Sequence, residues 1–150
     1  MFVLRALASF ILLPGVVGFL VPALLAPPAS ARTIHALGVV PFVAGVILLL
    51  WCVREFYVAG KGTLAPWDPP RHLVVSGPYR YSRNPMYVGV ALILIGWAIT
   101  FETRALWLYA FFVIVAFHLR VVLAEEPWQA RTFPREWDQY KSRVPRWLFF

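Results

Sequence analysis

The sequence has few groups that could bind a metal ion or close a disulfide. Cys52 is the single cysteine among 150 residues, which excludes an internal disulfide and a paired-cysteine metal motif. His35, His72 and His118 fall in three separate segments, and no metal-ligand spacing links them. Each histidine is better interpreted as a satisfied or loop residue, and we expect no metal. The sequence also lacks a phosphate-binding P-loop and a G-x-S-x-G nucleophile motif.

Charged residues are scarce as well. They make up 14% of the chain, whereas 61% of the residues are hydrophobic, and soluble domains are only about half apolar. This composition predicts a single integral membrane domain over residues 1–150. The net charge is +7, but the basic residues cluster at the ends of apolar runs. Membrane orientation and anionic lipids account for that placement, so we infer no nucleic-acid binding.

Four apolar runs predict an all-α, polytopic membrane helix bundle. A membrane span needs roughly 20 apolar residues, and the runs cover about residues 6–26, 34–53, 86–101 and 105–123. Arg5 and the stretch Ala29-Ser30-Ala31 also resemble parts of a signal peptide. The uncharged run after Arg5 exceeds the roughly 7–15 residues of a signal core, which favours a retained span.

Lys and Arg are distributed unevenly between the two sides of such a bundle. Four spans place the amino end, the long loop and the carboxyl tail on one side, with 12 of the 14 basic residues. Only Arg32 and Arg104 lie on the other side. The positive-inside rule therefore predicts cytoplasmic termini and a cytoplasmic loop, in a bacterial cytoplasmic membrane.

Polar and turn-forming residues separate the apolar runs. Arg54-Glu55 is expected to end the second span, and Glu125-Glu126-Pro127 the fourth. The long loop between the second and third spans contains Trp67 and Leu73, which predict packing against the bilayer surface. The aromatic residues of the tail recur at near-helical spacing and predict an interfacial helix, which Pro134 interrupts.

The most informative stretch runs from Ser76 to Gly89. Asn84 is predicted to be the N-cap of the third span, with Pro85 at its first helical position. A basic, tyrosine-rich loop thus leads into a helix start, whose free N–H groups and dipole suit an anion. The alternative is that Arg80, Arg83 and the tyrosines are only interfacial anchors.

Glu125 and Glu126 form a second group of interest at the end of the fourth span. The tight turn at Glu102 makes the third and fourth spans antiparallel, so the carboxylates lie level with the basic loop. Adjacent helical residues diverge by about 100°, so the two do not form one shared carboxylate site. Two readings stay open, since the carboxylates could bind a cationic ligand group or form structural ion pairs. Candidate partners for such pairs are Arg83, Arg120 and Arg131.

These motifs together resemble the isoprenylcysteine carboxyl methyltransferase family, which is related to the membrane phospholipid methyltransferases. The resemblance covers residues 61–145 and rests on an ordered set of motifs. They are Gly77-Pro78-Tyr79-Arg80-Tyr81, Arg83-x-Pro85-x-Tyr87-x-Gly89, Glu125-Glu126 and the tail pattern ending in Val144-Pro145. Asn84 stands where the best-known members have histidine. The family also has an arginine about one turn before the paired glutamates, whereas Arg120 precedes Glu125 by five residues.

The resemblance implies a membrane methyltransferase that uses S-adenosyl-L-methionine. It implies catalytic roles for Arg83 and Glu126, and a cofactor site built from Tyr79, Arg83, Asn84, Pro85, Tyr87, Gly89, Glu125 and Glu126. The expected acceptor is a lipid-like or isoprenylcysteine-type carboxylate. Alternatives are a phospholipid amine or another hydrophobic small molecule. A non-catalytic four-span anchor or interaction protein is the alternative of another class.

Overall fold

The structure, a computed structural model, describes residues 11–28, 30, 34–60 and 72–148, and every regular element in these ranges is helical. The all-α prediction is therefore confirmed for the described part of the chain. The elements are a π-helical stretch (Ile11–Leu20) that continues as α1 (Val21–Leu25), a 3-10 turn (Ala36–Gly38), α2 (Val39–Val58), a second 3-10 turn (Gly77–Arg80), α3 (Pro85–Phe101), α4 (Arg104–Arg120), a π segment (Val121–Glu125), α5 (Glu126–Thr132) and α6 (Pro134–Arg143).

Two continuous helices, Ala36–Val58 and Arg104–Thr132, are long and apolar enough to cross a membrane. Pro14–Leu25 and Pro85–Phe101 are apolar but shorter. These helices, with their exposed apolar side chains, support a membrane protein. Residues 6–10, Ala29, Ala31 and Trp67, which entered the predictions above, lie outside the described residues.

Two helices continue beyond the ends of the predicted apolar runs. At Arg54-Glu55, where the second run ends, α2 continues to Val58 and Glu55 is buried among polar partners. At Glu125-Glu126-Pro127, where the fourth run ends, the chain also stays helical. The helix passes through the π segment and continues to Thr132. In both places the carboxylates are neutralised within the protein, so their charge does not force the chain out of the helix.

Glycines bring α2 and α3 into close antiparallel contact. A Cβ on Gly45 would lie 2.5 Å from the carbonyl oxygen of Gly89, and a Cβ on Gly96 would lie 2.6 Å from Phe42 Cβ. The core beside this contact consists of Leu49, Val90, Ile93, Leu94 and Ala110. This packing sets the depth at which α3 begins, and therefore the depth of the site.

The amino-terminal helix is joined to α3 and α4 by side chains that bind its backbone. Pro22 has no N–H, which leaves carbonyl groups one turn earlier without a helical partner. Trp97 Nε1 donates to the carbonyl of Gly18 at 3.1 Å, and the Tyr109 hydroxyl donates to that of Val17 at 3.0 Å. The carbonyl groups that Pro22 leaves free thus accept two interhelical hydrogen bonds in an apolar setting.

Candidate functional site

A buried carboxylate at the end of α2 fixes the loop that leads to α3. Glu55 is 7% exposed and accepts hydrogen bonds from Ser76 Oγ and Arg54 Nη1. Gly77 lies against it with φ +58°, and a Cβ there would lie 2.8 Å from Glu55 Cγ. Glycine alone fits both the backbone conformation and the space. The turn predicted at Gly77-Pro78 is confirmed, and Glu55 positions the residues that follow.

Tyr79 and Tyr140 connect this loop to α6. The Tyr140 hydroxyl donates a hydrogen bond of 2.7 Å to the Tyr79 carbonyl, which satisfies a buried backbone acceptor. Both rings are buried. Burial raises the pKa of the Tyr79 and Tyr140 hydroxyls, so both stay protonated. Tyr79 is therefore an uncharged, buried residue of the site.

Arg83 is the most enclosed cation of the site. Its side chain is 10% exposed, its guanidinium carbon lies 5.4 Å from the centre of the Trp137 ring, and its backbone N–H donates to the Pro145 carbonyl. Nη1 lies 3.0 Å from Glu126 Oε1, but the N–H does not point at that oxygen. Neither Nε nor Nη1 has a hydrogen-bond partner among the described atoms. Burial lowers the pKa of Arg83, yet an arginine stays charged at neutral pH.

Glu126 is held between two guanidinium groups. Arg146 binds it with both arms of its fork, from Nε to Oε1 at 2.9 Å and from Nη2 to Oε2 at 2.8 Å. Arg83 lies on the other side of the same carboxylate. These three side chains carry a net charge of +1 at a largely buried position. The surplus cation is Arg83, because Arg146 takes the directed hydrogen bonds.

Glu125 belongs to a separate network. It accepts hydrogen bonds from the Tyr87 hydroxyl and from Arg120 Nε, the latter at 2.8 Å, and the Tyr87 ring packs against Phe117. The π segment explains this pairing, since a π turn places residues i and i+5 next to each other. Arg120 and Glu125 have that spacing. The two carboxylates therefore pair with different arginines, as their divergence around the helix predicts.

Asn84 lies at the N-cap position of α3, and Pro85 is the first helical residue, as the sequence predicts. The Asn84 side chain makes no cap hydrogen bond. Its Nδ2 donates instead to the carbonyl of Arg146 at 3.1 Å, which also accepts from Ser82 Oγ. Asn84 thus connects the helix start to the carboxyl-terminal segment.

The predicted site residues fall into three groups. Arg83, Asn84 and Glu126 converge with the carboxyl-terminal segment, whereas Tyr87 pairs with Glu125 one helix face away. Gly89 is not part of either cluster, because it packs against Gly45 and Leu49 of α2. Arg131, proposed as a glutamate partner, donates instead to the backbone carbonyl of Pro127.

A shallow cleft opens beside the Arg83 side chain. The polar wall includes Arg83 and Gln129, and the remaining wall is mostly aromatic. The lining residues are Phe56, Leu73, Val74, Tyr79, Arg83, Trp128, Gln129, Phe133 and Tyr140. The cleft thus places one enclosed cation beside aromatic rings, a combination whose chemistry suits an anionic group. Among the described residues, no three His, Cys, Asp or Glu side chains lie together as metal ligands would.

Sequence reasoning missed Arg146 and Trp137 as members of the site. Arg146 directly follows the Val144-Pro145 pair of the tail pattern, but nothing in its spacing connects it to Glu126, 20 residues earlier. Trp137 shares the buried face of α6 with Tyr140, so its aromatic periodicity indicated burial and not contact with Arg83.

Comparison with known proteins gives one family and one similar curated protein. A family model described as phospholipid methyltransferase matches residues 33–136, which include the basic loop and both glutamates. The nickel-cobalt-cadmium resistance protein NccN of Alcaligenes xylosoxydans xylosoxydans is 28% identical over 117 residues, or 78% of this chain and 49% of NccN. The chain thus spans about half the length of this relative. No solved structure matches.

Proposed function

The chain belongs to the phospholipid methyltransferase family, and on this premise we propose that it transfers a methyl group from S-adenosyl-L-methionine to a carboxylate on a lipid-like acceptor. The observation that carries the proposal is the buried guanidinium of Arg83, which has hydrogen-bonding capacity left over beside an aromatic cleft. Bound S-adenosyl-L-methionine would supply an activated methyl group on a sulfonium.

The residues present fit the amino-acid end of this cofactor. Arg83 offers the unpaired donors that a carboxylate requires, and Glu126 is the carboxylate best placed for an ammonium group. Tyr79, Phe133 and the other rings of the cleft can cover an adenine or attract a sulfonium through their faces. The chain's own contribution is then to bind, align and desolvate the two reactants.

The charges of the site favour an acceptor group that needs no deprotonation before it is methylated. A carboxylate can accept a methyl group with no base, whereas an ammonium group must first be deprotonated. Within the described part of the site, Glu125 and Glu126 are both paired with guanidinium groups. The net positive charge around Glu126 also repels a cationic acceptor. The alternative is N-methylation of a phospholipid amine, which the description of the family model favours.

One experiment separates these chemistries. The purified protein in detergent is first tested for S-adenosyl-L-methionine binding by calorimetry. It is then given methyl-labelled cofactor with either an S-prenylated cysteine carboxylate or phosphatidylethanolamine vesicles. Methyl esters release their label as methanol in base, and N-methyl groups do not. We expect base-labile label from the prenylated carboxylate. Base-stable label on phosphatidylethanolamine would establish N-methylation of a phospholipid amine. If the protein does not bind the cofactor, the function that remains is that of a non-catalytic anchor.

We further propose four spans with both termini in the cytoplasm. The four apolar helices and the concentration of basic residues on one side support this arrangement. Reporter fusions at Phe150 and in the turn at residues 27–32 should report opposite sides of the membrane. Fusions that report the same side would contradict it.

A further inference from the structure

The carboxyl-terminal segment Val144–Leu148, which we name the strap, lies across the site without being part of a helix. Its backbone carbonyl groups accept hydrogen bonds from the Arg83 N–H at Pro145 and from Asn84 Nδ2 at Arg146. Its side chains reach α5 and α4, through Arg146 to Glu126 and through Trp147 to His118. The strap therefore touches every part of the cluster around Arg83.

The strap occupies the carboxylate that a cationic ligand group would use. Both oxygens of Glu126 accept hydrogen bonds from Arg146, at 2.9 and 2.8 Å. Arg83 Nη1 lies 3.0 Å from Oε1, the oxygen that also accepts from Arg146 Nε, whereas Oε2 accepts from Arg146 alone. An incoming ammonium group that binds Glu126 through Oε2 therefore competes with Arg146.

Arg146 is the partner that can leave. Its side chain is 33% exposed, whereas that of Arg83 is 10% exposed and lies over the Trp137 ring. Arg146 can regain water as it moves away, and Arg83 cannot. Val144 is buried with Trp137 and Tyr140 and anchors the start of the strap, whereas the Trp147–His118 hydrogen bond near its end is long at 3.3 Å and exposed.

We infer that Arg146 is a positioning residue that holds Glu126 in place in the unliganded protein and is displaced by the cationic group of the ligand, so that the strap gates the site. This inference rests on the proposed function, because it requires a ligand with an ammonium or sulfonium group. S-adenosyl-L-methionine carries a net charge of +1 at neutral pH. Removal of the Arg146 charge should therefore favour its binding, whereas loss of a purely structural residue should weaken binding.

The test measures S-adenosyl-L-methionine affinity of the intact chain and of Arg146→Ala by calorimetry. We expect the variant to bind about three- to tenfold more tightly, as for loss of a competing ion pair that is partly exposed. Trp147→Ala, which loosens the strap without a change in charge, should tighten binding less. Arg143→Ala is the matched control, because Arg143 is exposed and makes no ion pair with a described residue. Its affinity should stay unchanged.

A second measurement keeps Arg146 in place. Leu148 is 48% exposed and Cys52, the single cysteine, is 0% exposed, so Leu148→Cys provides one accessible thiol for a spin label. We expect the label to become more mobile when the cofactor saturates the site. Equal or weaker affinity of Arg146→Ala, or an unchanged label spectrum at saturation, overturns the inference. Absence of cofactor binding by the unaltered chain overturns the proposed function instead.

Discussion

Glu125 and Glu126 are neighbours in the chain, yet they lie in networks of opposite character. Glu125 is 29% exposed and pairs with one arginine, Arg120, which is itself 54% exposed. Glu126 is 14% exposed and lies between two arginines. The first network is balanced in charge and open to solvent, and the second is enclosed with a surplus cation. The two carboxylates of one motif therefore have different surroundings. Only the network of Glu126 has a surplus positive charge that a further anion would neutralise.

The largest effect should follow from Glu126→Gln. The change leaves Arg83 and Arg146 without a counter-charge, and the loss of one member of a largely buried pair costs about 2–3 kcal/mol of unfolding free energy. Cofactor affinity should fall by about 10–150-fold, as for loss of a charge-assisted hydrogen bond. Calorimetry and thermal unfolding in detergent measure the two effects. The double variant Glu126→Gln with Arg146→Gln should regain stability but not affinity, and unchanged affinity in the single variant would remove Glu126 from the site.

The next effect concerns Arg83→Lys, which keeps the charge. A lysine cannot form two parallel hydrogen bonds to a carboxylate, and its ammonium is more strongly hydrated in a buried position. We expect methyl transfer to fall by about tenfold or more. Arg80→Lys is the control, since Arg80 is exposed and a point charge suffices at an interface. Small and equal losses in turnover would mean that both arginines are anchors.

Glu125→Gln should have a smaller effect than Glu126→Gln. Its ion pair with Arg120 is partly exposed, so we expect a loss of about 0.5–1 kcal/mol in stability. We expect at most about a tenfold loss in cofactor affinity, below the full value of a charge-assisted bond. Tyr87→Phe removes the second donor to Glu125 and tests the same network. If Glu125→Gln weakened cofactor binding as much as Glu126→Gln does, the two carboxylates would act together, and the assignment of different roles to their two networks would be wrong.

The smallest effects should come from Asn84. Asn84→Ala removes the hydrogen bond from Nδ2 to the Arg146 carbonyl, and we expect about 1 kcal/mol of lost stability. Asn84→His, which restores the residue of the best-known family members, should be tolerated. Turnover and thermal unfolding of both variants check this. A loss from Asn84→His comparable to that from Arg83→Lys would show that the asparagine amide itself is needed in the site.

The sequence predicted those parts of the fold that follow from local rules. Hydrophobic runs predicted the helices, and Asn84-Pro85 predicted the start of α3 to the residue. The sequence did not predict that α2 extends to Val58, because a charged residue such as Glu55 normally ends an apolar span. The partner that makes this burial possible, Ser76, lies 21 residues later. Long-range neutralisation of a charge has no local signal.

The candidate site divides in the same way. Arg83, Tyr87 and the two glutamates came from the motifs, and their separation into two networks follows from helix geometry. The capping role expected of the Asn84 side chain was wrong, since the tail offers it a backbone carbonyl that the sequence could not place. Arg146 was missed for the same reason, because its role depends on where the strap lies.

In the π segment at Val121–Glu125, one helical turn contains more residues than an α turn does, so the number of residues between two positions does not by itself give the number of turns between them. The helix holds one residue more between Arg120 and Glu125 than an α turn would, and the wider turn absorbs it. Deletion of one residue, such as Val122, should therefore leave Arg120 beside Glu125 through an ordinary α turn. Insertion of one residue should rotate both glutamates by about 100° away from their arginines. Relatives with three residues between these positions, in an α turn, and relatives with four, in a π turn, can thus build the same pair. A gap in their alignment would mark a change of helical pitch and not a change of site.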